Sequence, residues 1–305
     1  MLTLAAALLL SPVSTPVQLA STPAPLHGTL LTPEGQTQAV ALILPGSGPT
    51  DRDGNSAQFA IRAASYRLLA EGLVERGIAT IRIDKRGVGE SAAAGPAEAE
   101  LRFSAYVADA RAWADEAATK AGQPCAWLIG HSEGALIALA AVAADDDRIC
   151  GLVLLSGAGR PAGAVLREQM TALPEPLNSR ASEVVSELEA GRTVADPPVE
   201  LAALFRPSVQ PYLISWLALD PARLAAAYDG PIFIGQGATD LQVTLTDAEA
   251  IKAAQPRAQL VIWDGVNHVL KTAPAERAAN VATYLDPALP LAPGVIEAVA
   301  AFILK

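Results

Sequence analysis

The chain has 305 residues, 51% of them hydrophobic and 18% charged, with a formal net charge of −10. That size and composition suit one large domain, or a core with a smaller insert, and exclude a disordered chain. The acidic balance excludes a nucleic-acid binder and a protein that docks stably on anionic lipid, because both need a basic face.

At the N-terminus, residues 2–10 (LTLAAALLL) form an apolar run followed by the proline-rich stretch SPVSTPVQLASTPAP. The run is too short for a membrane span, which takes about 20 residues, and suits the apolar part of an export signal. No Lys or Arg precedes it, and Gln18-Leu19-Ala20 is a poor cleavage site. Residues 1–20 are therefore read as an export signal or a disordered N-terminus; the first places the protein in the periplasm or outside the cell, the second in the cytoplasm.

From residue 38 onward, short apolar runs alternate with helical patterns. AVALILPG is a strand, followed by a helix from Phe59 to Arg76; ATIRIDKRG is a strand, followed by a helix from Ser104 to Ala121. AWLIGH leads into a helix from Glu133 to Ala144, and GLVLLSG is the next strand. PIFIGQG, a helix from Thr246 to Ala254, AQLVIWDG and a closing helix GVIEAVAAFIL complete the series. Continuous apolar strands separated by helices predict an α/β fold, a mostly parallel sheet covered on both faces. Between Gly159 and Asp229 only helical segments appear, separated by prolines at 174, 176, 197, 198, 207 and 211. A structureless insert of that length is disfavoured inside a compact domain. The expected organisation is thus a core of residues 21–158 and 230–305, with a helical cap of residues 159–229 inserted after the sixth core strand.

Cys125 and Cys150 are the only cysteines, each at the start of a predicted strand. On neighbouring parallel strands they would lie at one edge, either bridged, which suits an oxidising compartment, or as two buried free thiols.

Chemistry concentrates at the ends of the strands. In GHSEG, residues 130–134, the apolar strand stops at a serine between glycines and a helix begins. A hydroxyl held on such a strand-to-helix turn is a nucleophile in waiting, and the two glycines let the neighbouring backbones approach. It needs a base to take its proton. Of three histidines, His27 precedes the first core strand and reads as surface, while His131 adjoins the serine and reads as packing support. His268 follows the last strand, on the sheet edge where open α/β folds gather their sites, and is the expected base. Asp240, just past the PIFIGQG strand, is the carboxylate placed to orient it. Asp229 precedes its strand and Asp264 has barely left its own, so both compete less well. The oxyanion donors expected are the N–H of Glu133 and, from the PGSG loop, that of Ser47, with Gly48 as the alternative. Asp51, Asp53, Lys85 and Arg86 are candidates for ion pairs between their two loops that brace the oxyanion loop; a solvated charge run is the other reading.

Other motifs fail in detail. GSGPTDRDG has no following G-K-[ST] for a phosphate loop, and RGVGES lacks the third glycine of a dinucleotide fingerprint. DRDGNS starts like a calcium loop, but Ser56 and Arg62 occupy the positions that need glycine and glutamate. Three scattered histidines do not make a zinc site.

Taken together, LPGSGPTDRDGN, DKRGVGES, GHSEG, FRPSVQPYLISW, QGATDLQV and GVNHVLK resemble the α/β-hydrolase superfamily from about residue 28 to the end. Within it the chain is similar to bacterial serine esterases with a lid, the serine-aminopeptidase-like hydrolases. The resemblance implies hydrolysis of small carboxylic esters, short to medium in chain length, by Ser132, His268 and Asp240, without cofactor or metal. A peptidase or amidase with the same triad is the alternative. Pro45 stands where many superfamily members carry a histidine, which leaves the choice between Ser47 and Gly48 open. In the cap, Phe205, Tyr212, Leu213, Trp216 and Leu217 form an apolar set that either packs the cap on the core or, through Phe205, Tyr212 and Trp216, lines an acyl pocket.

Overall fold

The computed structural model describes residues 12–143 and 147–305; the apolar run at 2–10 lies outside them. In chain order come strands β1 (Val13–Leu19), β2 (Leu26–Thr32) and β3 (Ala39–Leu44), then a small hairpin of β4 (Asn55–Ser56) and β5 (Ile61–Arg62). Helix α1 (Ser65–Val74), β6 (Ile78–Ile83), α2 (Phe103–Ala121), β7 (Ala126–His131), α3 (Glu133–Ala141) and β8 (Ile149–Leu155) follow. Five helices then run without a strand: α4 (Ala162–Met170), α5 (Leu177–Glu189), α6 (Ala202–Phe205), α7 (Gln210–Leu217) and α8 (Pro221–Ala227). The chain closes with β9 (Ile232–Gly237), α9 (Leu245–Ala254), β10 (Gln259–Trp263), α10 (Arg277–Ala282) and α11 (Val295–Ile303).

Eight strands form one sheet in the order β1-β2-β6-β3-β7-β8-β9-β10, parallel from β6 to β10, with β2 antiparallel to both neighbours. All six residues of β3 and of β6 are buried, as expected for strands covered on both faces. Alternate side chains serve opposite layers: Val40, Leu42 and Leu44 pack with α2 and α3, while Ala39, Ala41 and Ile43 pack with α1 and α11. Among the described residues no helix is long and apolar enough to cross a membrane.

Two readings change. Val13–Leu19, read from the sequence as part of an export signal or a disordered N-terminus, is an edge strand with full antiparallel pairing to β2, and Gln18 and Leu19 sit inside its ladder. Its Pro16 is tolerated there because an edge position need not donate every N–H. Second, the helix expected from Phe59 begins only at Ser65. Ala60 and Ala64 take left-handed φ values of 54° and 52°, and Asn55 Oδ1 accepts the N–H of Ala64 at 3.0 Å, so residues 55–64 fold back as a hairpin. The helices between β8 and β9 pack on the sheet-covering helices: Ala181, Val184, Leu188 and Phe205 belong to the same apolar cluster as α2 and α3. Their entry is clamped by Asp247 of α9, whose fully buried carboxylate binds the N–H groups of Gly159 and Arg160 and the Arg160 guanidinium, 2.8 Å from Nη2.

Cys125 and Cys150 are joined by a disulfide across neighbouring β7 and β8, with Cα atoms 5.2 Å apart and a sequence separation of 25. Closing a loop of that length restricts the unfolded chain by about 2–4 kcal/mol. The Cys125→Ser/Cys150→Ser double variant should lower the unfolding free energy in urea by that amount; an unchanged midpoint would show that the bridge adds no stability.

Candidate active site

Strand β7 ends at His131 and α3 begins at Glu133, so Ser132 takes the turn alone, with φ 54° and ψ −120°. That backbone costs a residue with a side chain roughly 1–3 kcal/mol and persists because the surroundings enforce it. Close approach explains both flanking glycines. A Cβ on Gly130 would lie 2.2 Å from the Gly134 carbonyl oxygen, and one on Gly134 would lie 2.2 Å from that of Leu44. Ser132 N–H is held by the Leu155 carbonyl at 2.9 Å, and its side chain stays partly open to solvent.

The loop after β3 lies directly over this turn: a Cβ on Gly46 would come within 3.3 Å of Ser132 Cβ. Among the described residues, the N–H groups of Ser47, Gly48 and Glu133 have no acceptor within the protein. At the first turn of α3 this is the normal state of a helix N-terminus, and such free donors suit a developing negative charge.

Asp240 and His268 meet at the same rim. His268 Nδ1 donates to Asp240 Oδ2 at 2.8 Å, and Oδ1 accepts the N–H groups of Gln242 and Val243 at 2.8 and 3.0 Å. Burial of the carboxyl opposes its ionisation, but His268 and the two backbone donors outweigh it and hold Asp240 below the usual carboxylate range. An ionised Asp240 on Nδ1–H leaves the lone pair on Nε2, the tautomer a general base needs.

His131 proves to be the link between the Ser132 turn and the loop that carries His268. Its Nε2 is 2.7 Å from the His268 carbonyl oxygen, and its Nδ1 is 2.9 Å from the Tyr66 hydroxyl. A carbonyl only accepts, so His131 carries its proton on Nε2 and its Nδ1 accepts the Tyr66 hydroxyl proton, while the Tyr66 oxygen accepts the Gly46 N–H at 3.0 Å. Burial, then the nearby His268, pushes the His131 pKa down to about 3, and the ring is neutral. Tyr66 was hidden in the sequence as one more apolar position of a helix. Below His268, the loop is braced by the buried amide of Asn267, which donates to Thr283 Oγ1 at 2.7 Å and Asn280 Oδ1 at 3.2 Å; Asn267 stands in the motif GVNHVLK but was given no role, and no motif marked Asn280.

The expected ion pairs among Asp51, Asp53, Lys85 and Arg86 do not form. Lys85 turns inward to Glu133 Oε1 at 3.0 Å and to the Gly46 carbonyl at 2.6 Å. Arg86 binds Asp109 at 2.6 Å, Asp53 binds Arg82, and Asp51 accepts the N–H groups of Asp53 and Asn55. The two loops are joined instead by Arg52, whose backbone N–H and guanidinium both bind Asp84. Elsewhere, His27 is a half-buried residue of β2, and no group of acidic, His or Cys side chains among the described residues could hold a metal.

Of the cap residues, Phe205 has no exposed surface and packs within the core cluster, which corrects the expectation that it lines a pocket. Tyr212 is buried against Phe103 and Tyr106, with ring centroids 6.1 and 5.8 Å away, and Trp216 is half-buried.

A model of the serine aminopeptidase S33 family matches residues 59–270, more than two thirds of the chain. The chain belongs to this family of serine hydrolases. No curated protein sequence matches it. Among solved structures, Est1E from Butyrivibrio proteoclasticus with ferulic acid bound aligns with a TM-score of 0.60 at 17% identity, covering 94% of this chain and 96% of that one. The esterase domain of a Rhodothermus marinus protein aligns at 0.54 and 19% identity, covering 90% and 96%. A bromoperoxidase from Bacillus anthracis aligns at 0.56 and 15%, covering 95% and all of its own chain. At these identities the likeness shows the α/β-hydrolase fold, and the reaction has to be argued from the site.

Because folded His131 stays neutral down to about pH 3 whereas an unfolded imidazole titrates near 6.5, the unfolded chain binds an extra proton between those values. Stability should therefore fall as the pH drops from 6.5, by roughly 1–2 kcal/mol at pH 5 from this residue. Urea unfolding at pH 7 and pH 5 should show a smaller drop for His131→Gln; equal drops would mean that His131 is not held neutral.

Proposed function

We propose that this S33-family hydrolase is a carboxylesterase. The observation that carries the proposal is the Asp240–His268 pair, at 2.8 Å, on a His268 ring whose centroid lies 4.8 Å from that of His131, the residue before the strained Ser132. Ser132 Oγ attacks the ester carbonyl while His268 Nε2 takes its proton, and the tetrahedral oxyanion is held by the N–H groups of Ser47 and Glu133. Ser47 is favoured over Gly48 because it directly follows Gly46, the residue stacked on Ser132. His268 then returns the proton to the leaving alcohol, and a water activated by His268 releases the acid from acyl-Ser132. Asp240 stabilises the imidazolium in both steps without taking its proton.

The esterase named among the structural neighbours supports this reading, and so does the ferulic acid held by Est1E. The family description favours an amidase acting on free amino termini as a second reading. A peptide amine would need an unpaired acid at the site, whereas Glu133 is engaged with Lys85 and Asp240 with His268. We further assign residues 159–229 as a cap and its half-buried Trp216 as a contact for short to medium acyl chains. The disulfide supports export to an oxidising compartment.

The test is a panel of aryl esters of graded acyl length, with amino-acid anilides alongside. Wild type should turn over the esters and leave the anilides, Ser132→Ala should lose at least about a thousandfold while still folded, and Trp216→Ala should shift the preferred chain length. Ester turnover retained by the serine variant would refute the mechanism, and preferred anilide cleavage would establish the amidase.

A further inference from the structure

Lys85 is almost fully buried, with its side chain 4% exposed, and the proposed reaction does not use it. Its ammonium donates to the Gly46 carbonyl at 2.6 Å and to Glu133 Oε1 at 3.0 Å, and lies 5.0 Å from the centroid of the Tyr106 ring. Both partners belong to the oxyanion apparatus. The Gly46 carbonyl and the Ser47 N–H are opposite ends of one trans peptide, so a cation on the oxygen leaves the N–H aimed the other way. A cation there also draws electron density from the peptide nitrogen, which makes that N–H a stronger donor. Glu133, the second partner, carries the other proposed donor on its own backbone and begins the helix that follows Ser132. The Gly46 N–H is tied to Tyr66, so the peptides on both sides of Gly46 are held.

We propose that Lys85 is a positioning residue of the oxyanion hole, polarising the Gly46–Ser47 peptide and locking it to the turn that bears Ser132; this rests on the hydrolase reading above. An ion pair that merely stabilises the fold would support ground-state binding and transition-state binding alike. Polarisation of a donor acts where charge develops, on the tetrahedral oxygen.

The experiment measures two things on wild type, Lys85→Met and Lys85→Arg. One is steady-state turnover of the best aryl ester. The other is the rate of labelling by a fluorophosphonate, in which Ser132 Oγ attacks phosphorus, fluoride leaves and His268 takes the proton. Lys85→Met should lower kcat and the labelling rate together by about 10- to 100-fold, with KM changed by less than about threefold, and Lys85→Arg should recover most of both. Should Lys85→Met fail to fold, because it strands the Glu133 charge, Lys85→Met/Glu133→Gln removes both charges and should show the same loss. A folded variant lacking the lysine that labels and turns over like wild type, or that changes KM alone, overturns the role of Lys85. A wild type that is not labelled at Ser132 overturns the hydrolase reading itself.

Discussion

One buried hydrogen-bonded chain ties the parts of this site together: Lys85 to the Gly46 carbonyl, Gly46 N–H to Tyr66, Tyr66 to His131, and His131 to the carbonyl of His268. It runs from the loop after β3, through the nucleophile turn, to the loop after β10. Each link fixes the next: the His268 carbonyl can only accept, so His131 must offer Nε2–H, its Nδ1 must accept the Tyr66 proton, and the Tyr66 oxygen is left to accept the Gly46 N–H. In a low-dielectric interior such a chain is strong when every member is paired and costly when one is lost. The loop after β3 and the loop after β10 are thus held as one body, although they lie far apart in sequence.

The sheet makes this arrangement possible. Parallel strands β3, β7, β9 and β10 deliver their following loops to one edge, and Ser47, Ser132, Asp240 and His268 all lie within a few residues of a strand's C-terminal end. The opposite edge of β7 and β8 carries the disulfide, so the two central strands are pinned at one end by a covalent bond and at the other by the Ser132–Leu155 hydrogen bond. The helices between β8 and β9 enter through the Arg160–Asp247 clamp and reach back to α2 through Tyr212, whose hydroxyl is buried next to the Lys85–Glu133 pair. Movement of that segment and the geometry of the oxyanion loop therefore share a physical boundary.

The six parallel strands were legible as short apolar runs, which burial on both faces enforces in all but the edge strand β10. Strands β1 and β2 were not: four of the first five residues of β1 are exposed, it contains Pro16, and its pairing is set by β2 rather than by its own pattern. The false start of α1 at Phe59 came from a helical period that tertiary contacts override, with Ser65 Oγ bound to the Val269 carbonyl 204 residues away. That Ser132, Asp240 and His268 lie just past strand ends was legible, because the strands before them are apolar runs. Lys85 was noticed as a charge in the right loop but given the wrong partners, since which carboxylate an ammonium meets depends on how two loops cross in space. Tyr66 and Asn280 left no mark, and Asn267 stood in GVNHVLK without a role, because a buried polar link looks like any other core or loop position until its partners are known.

The central claim is that Ser132 becomes covalently acylated with His268 as its base. Rapid mixing with an activated ester, acid quenching within milliseconds and mass spectrometry of the digested protein test it directly. The account predicts a transient mass increase equal to the acyl group on the peptide that holds Ser132, absent when His268 is replaced by alanine. Turnover without an adduct at that serine, or with the adduct on another residue, would contradict it.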